Sequence, residues 1–142
     1  MKSLIALFTA ITFFSAAAQA QCGKKLLITA SKTEFLGADS SLQRAEDEPS
    51  TVEFDSSNIT ITHGAQQEKM IGTVSKYSCN WKVPFKEGKT VMKAAFSNDN
   101  GEVKNITITL TGKNDKIIFF VEMDDQADRK FRLTADKFEE RK

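Results

Sequence analysis

From residue 51 onward the chain alternates apolar and polar positions almost without a break. In KYSCNWKVPF (76–85), Tyr77, Cys79, Trp81, Val83 and Phe85 share one parity, while Ser78, Asn80 and Lys82 share the other. Successive side chains of a strand point to opposite faces, so a period of two predicts a half-buried strand. Pro84 ends it or places that end at a sheet edge, because proline cannot donate to a ladder. TVEF (51–54), KTVMKAAF (89–96), EVKNITITL (102–110), KIIFFVEM (116–123) and RKFRLTA (129–135) read the same way, and KKLLITASKTEF (24–35) predicts an N-terminal strand. Between them lie turn signals: Glu87-Gly88, Asn100-Gly101, TGKND (111–115) and DDQAD (124–128). The polar, acidic stretch GADSSLQRAEDEPS (37–50) predicts a loop or one short helix, and DKFEERK (136–142) a final turn with Phe138 tucked in.

One block is written twice. NITITHGAQQEKMIGTV (58–74) aligns without a gap on NITITLTGKNDKIIFFV (105–121), matching Lys69 with Lys116, Ile71 with Ile118 and Val74 with Val121. Each copy is a β-branched alternating run, a polar connection and a second apolar run, which predicts a β-hairpin. In its first strand the isoleucines should face one way and the threonines the other. Both copies also fit the N-x-[ST] acceptor pattern at Asn58 and Asn105. Strand propensity explains the same residues more simply, and the strand reading is preferred.

The sum is an all-β chain of about eight or nine sequential strands, an antiparallel up-and-down meander. So many strands with one apolar face must curl, close or split into two layers. A small closed or nearly closed barrel is expected, with a two-sheet sandwich as the alternative. An N-terminal strand, a long polar loop over 37–50 and a meander of hairpins in a small chain resemble the lipocalin-like (calycin) barrels. The chain is likewise similar to small exported bacterial proteins with such a fold. The resemblance covers the mature chain in architecture and implies an apolar ligand held inside the barrel. The family's Gly-x-Trp near the first strand is absent, the only tryptophan being Trp81, and Arg132 sits on a late strand as the family's arginine does.

The ends and the charge narrow the setting. MKSLIALFTAITFFSAAAQA (1–20) has a lysine, an apolar run from Leu4 to Phe14 and the A-x-A pattern Ala18-Gln19-Ala20. This is the form of a signal peptide cleaved before Gln21, giving a secreted or periplasmic protein. The run is too short for a stable membrane anchor, and no later stretch is long enough to serve as one. Removal of residues 1–20 leaves 142 − 20 = 122 residues, one domain over 21–142, with Lys2 gone and 19 bases against 19 acids. A neutral chain without a basic patch argues against nucleic acid as a partner. Cys22 and Cys79 are the only cysteines. In an exported protein one bridge between them is the simplest reading, and the loop is worth roughly 4 kcal/mol at most by chain entropy.

Candidate chemistry is sparse. His63 is the only histidine, at the end of a predicted strand. The usual zinc sets of several His or Cys cannot be assembled, so no metal or cofactor is expected. Asp124, Asp125 and Asp128 read as a turn rather than a calcium loop, and Glu46, Asp47 and Glu48 as a solvated acidic loop. No nucleophile motif or paired carboxylate stands out, and a non-enzymatic binding role is expected. Tyr77, Trp81, Phe85, Met92, Phe96, Phe119 (or Phe120) and Phe131 are the candidate lining of an apolar interior. The same residues in a filled core would leave the loops and the doubly apolar run IIFF (117–120) to meet an envelope or extracellular protein.

Overall fold

A computed structural model describes residues 21–142. The expected signal peptide, residues 1–20, lies outside the described residues. The chain forms β1 (Leu26–Ala30), β2 (Thr33–Leu36), β3 (Leu42–Glu46), β4 (Ser50–Phe54), β5 (Asn58–His63) and β6 (Glu68–Val83). It continues with β7 (Glu87–Ser97), β8 (Val103–Lys113), β9 (Lys116–Met123), β10 (Gln126–Thr134) and β11 (Lys137–Glu140). All eleven belong to one antiparallel sheet, in the order β11-β1-β4-β5-β6-β7-β8-β9-β10-β2-β3. A single sheet excludes the sandwich and bears out the up-and-down meander.

The closed ring needs correction. The strand order has two ends, β11 and β3. The sheet curls far enough that β1, near one end, and β2, near the other, are consecutive in the chain. Leu26 faces Glu140 and Leu36 faces Lys130, so β1–β2 and β10–β11 run on one register across their interruptions. The breaks fall at Ser31-Lys32, at Ala135-Asp136 and before Ser50, where Pro49 cannot donate to a ladder. Asp136 N donates to Thr29 O and Ala135 N to Ile117 O, both at 2.8 Å, holding the bent segment to its neighbours. Three bent strands thus replace the unbroken staves of a closed barrel.

Other expectations shift in detail. The stretch 37–50 forms no helix. Asp39 accepts from the Ser41 amide in a tight turn, and β3 follows as a charged, almost wholly exposed edge strand. The tail is strand β11 rather than a turn, and Phe138 does tuck in, 4.9 Å from Phe85 and 5.7 Å from Trp81 between ring centres. The segment 76–85 belongs mostly to the longer β6, whose ladder slips between Val74 and Lys76. DDQAD turns only at Asp124-Asp125, and Asp128 lies within β10.

Both copies of the repeat are hairpins, and in the first strand of each the isoleucines are buried and the threonines half-exposed. They differ in register. Ile59 faces Gly72, but Ile106 faces Met123, four places beyond Phe119, the aligned equivalent of Gly72. An even slip keeps every side chain on its own face, so both registers serve the same alternation. The second hairpin turns on Asn114 and Asp115, both with positive φ (52° and 62°), as a two-residue turn of the I′ kind requires.

Strands alternate in direction, so the connections fall into two groups. The segments 37–41, 64–67, 98–102 and 124–125 surround one end, here called the mouth, while 21–25, 55–57, 84–86 and 114–115 surround the floor. The floor is stapled. Cys22 and Cys79 are bridged, with Cα atoms 6.0 Å apart and a sequence separation of 57. Trp81 is fully buried there, and its Nε1 donates to Thr90 Oγ1 at 2.8 Å. The indole fits because Gly112 carries no Cβ, which would fall 2.6 Å from Trp81 Cζ3. Arg141 N donates to Lys25 O at 2.8 Å, so the two ends of the described chain meet at this floor. Above it the interior is packed with Leu26, Ile28, Phe54, Ile59, Met92, Ile108, Leu110 and Phe119, none more than 1% exposed.

Candidate functional site

The seven candidate lining residues are not brought together around a cavity. Trp81, Met92 and Phe119 are fully buried in the packed core. Tyr77, Phe85, Phe96 and Phe131 are partly buried against it. Of the seven, only Phe131 reaches the recesses at the mouth. Arg132 does not meet Trp81. It pairs with Glu34 at 2.8 Å on the outer side of the sheet. The outward pair of IIFF, Ile118 and Phe120, is half-covered by cross-strand neighbours: Phe120 stands between Thr109 and Arg132.

At the mouth the inward parity ends in side chains that do not fill the space between them. Phe35 of β2, Ile61 of β5, Met70 of β6, and Phe131 and Leu133 of β10 wall a recess of about 150 Å³. Thr33, Ser50, His63 and Glu68 supply its polar groups. Phe35 faces Phe131 across the β2–β10 ladder, and this aromatic rung borders a second recess of about 460 Å³. That one is bounded by Leu36, Gln43, Arg44, Met123 and the segment Asp128–Lys130. The Arg44 guanidinium lies over the Phe35 ring, 4.2 Å from its centre, where the electron-rich face attracts a cation. The mouth therefore offers apolar walls, with Arg44, Arg129 and Lys130 beside Asp128 along one border.

His63 stands on the opposite border. Ser50 faces it across the β4–β5 hairpin, and Ser50 Oγ lies 2.7 Å from His63 Nδ1. Ser50 is only 3% exposed and also lies 3.5 Å from Thr33 Oγ1, so it orients the ring. The other ring nitrogen, Nε2, turns to Glu46 Oε2 and Glu48 Oε2, each 3.5 Å away. Those separations are long for hydrogen bonds. They are close to the spacing of about 3.4 Å between donors that each lie about 2.1 Å from a tetrahedral ion. The donor atoms of Glu46, Glu48 and His63 all fall within 4.8 Å of one another. One imidazole and two carboxylates can hold a divalent cation between them.

This cluster is what the sequence reading missed. EDEPS was a solvated loop and His63 a strand end. The signal lay in the hairpin register: a turn at 55–57 that pairs Phe54 with Ile59 also pairs Ser50 with His63 and brings the preceding acids alongside. Among the Asp-rich turn residues, Asp124 is engaged structurally, accepting from Thr107 Oγ1 at 2.7 Å and from Lys93 Nζ at 3.2 Å. Among the described residues no helix is long and apolar enough to cross a membrane. No protein-family model matches the chain, and no curated protein or solved structure matches it either.

Proposed function

We propose that the chain is an exported, lipocalin-like binding protein that takes a small apolar ligand, or the apolar part of a larger one, at the mouth of its curled sheet. The supporting observation is the apolar recess walled by Phe35, Ile61, Met70, Phe131 and Leu133 above an otherwise packed interior. At about 150 Å³ it suits a ring or a short chain, since sites for whole drug-sized ligands occupy roughly 300–1,000 Å³. The neighbouring recess, bordered by Arg44, Arg129 and Lys130 beside Asp128, provides room for a polar remainder. The bridge between Cys22 and Cys79 fits an oxidising, extracytoplasmic setting.

The test is a titration with an apolar fluorescent dye, competed by short fatty acids. Phe131→Ser should weaken binding by about tenfold, the scale of losing most of one buried aromatic contact. Trp81 emission should stay constant, because the indole sits at the floor. Dye affinity equal in the variant would remove the mouth as the site. A second reading, docking of another protein, draws on Leu42 and Ile71, large apolar side chains left 58% and 68% exposed. It would be favoured by a native mass above that of one chain, with no dye bound.

A further inference from the structure

Gln21, the first described residue, is buried, with 1% exposure. Its Oε1 accepts from the Phe85 amide at 2.5 Å. Phe85 follows Pro84 in the β6–β7 turn and has a positive φ of 62°, a conformation bulky residues rarely adopt. The acceptor helps hold that turn. The other half of the carboxamide, Nε2, is equally buried and has no hydrogen-bond partner among the described residues. An orphaned buried donor is costly. Cleavage after Ala18-Gln19-Ala20 would add a second difficulty, a charged α-ammonium on the same buried residue.

One reaction removes both. We propose that, in the exported chain, Gln21 is converted to N-terminal pyroglutamate and that the floor of the sheet is built to receive the lactam. The Gln21 α-nitrogen attacks Cδ, a C–N bond forms, the Cδ–Nε2 bond breaks, and Nε2 leaves as ammonia with the proton lost from the α-amine. No oxidant, reductant or further reactant is needed. The product has lost the orphaned Nε2 and the ionisable amine, and keeps a single neutral lactam N–H. It keeps the one atom the fold uses, the carbonyl oxygen facing Phe85 N–H. Cys22, the next residue, is bridged to Cys79 and fixes the ring at the floor. The proposal rests on the export reading, so its test separates the two.

The experiment is intact-mass and N-terminal peptide sequencing of the full chain expressed in, and recovered from, an exporting host. The expected result is a chain beginning at Gln21, lighter by one ammonia and blocked to aminopeptidase, with the Phe85 amide protected from hydrogen exchange. A chain that begins at Gln21 and keeps a free amine overturns the modification while leaving export intact. A chain that begins at another residue past the leader overturns the modification and leaves export standing, and one that begins at Met1 overturns both. Cyclised protein with a rapidly exchanging Phe85 amide overturns the assigned role of the lactam oxygen. Gln21→Ala, which cannot cyclise, should lose that protection even though the disulfide still holds the segment.

Discussion

The Tyr77 hydroxyl is buried without a hydrogen-bond partner among the described residues. Burial, and after it the Asp55 carboxylate, pushes the Tyr77 phenol above its ordinary value. A raised value in the fold means that the contribution of the neutral phenol is complete below the unfolded-chain value. It is lost as pH rises through the higher folded value. Tyr77→Phe removes both the orphaned group and this alkaline loss. The variant should be as stable as the parent or more so by about 1 kcal/mol in urea at neutral pH. The gap should widen in alkali. A variant clearly weaker at neutral pH would mean that the hydroxyl has a partner after all. The parity of Tyr77 was readable from its neighbours. The direction of its oxygen was not, because that depends on what stands across the sheet.

Among elements, alternation located strands well and their breaks poorly. β6 is one strand of 16 residues, yet it reads as two because its inward parity changes partway. Gly72 and Val74 are buried at one end and Trp81 at the other, with the register slip between Val74 and Lys76 making the exchange. β3 gave no signal at all, being an edge strand with no buried face. The cluster at Glu46, Glu48 and His63 was hidden for a related reason: His63 reaches the two acids only because the β4–β5 register pairs it with Ser50. The β9–β10 turn shows the same dependence. The Thr107 hydroxyl, and also Lys93, hold the Asp124 carboxyl below the usual carboxylate range. A depressed folded value places the stabilising effect above the unfolded-chain value, and it fades as pH falls through the folded one. Asp124→Asn should therefore lower the melting temperature at neutral pH and lose less on acidification than the parent. Parallel acid limbs for the two proteins would dissociate Asp124 from the turn's stability.

At the scale of the molecule the two ends of the sheet are held differently. The floor has the disulfide, the buried indole and the Gln21 anchor, whereas the mouth is bounded by turns and recesses. Reducing the bridge between Cys22 and Cys79 frees a closed loop of 57 positions. It should lower stability by up to about 4 kcal/mol on the chain-entropy model, while the strand signal in circular dichroism persists at low temperature. Identical melting with and without reductant would show that the bridge adds nothing. The meeting of β1 with β11 has a practical consequence. Because Arg141 is hydrogen-bonded to Lys25, a tag, a support or a fused domain attached through Lys142 hangs beneath the floor and presents the mouth outward, away from its tether.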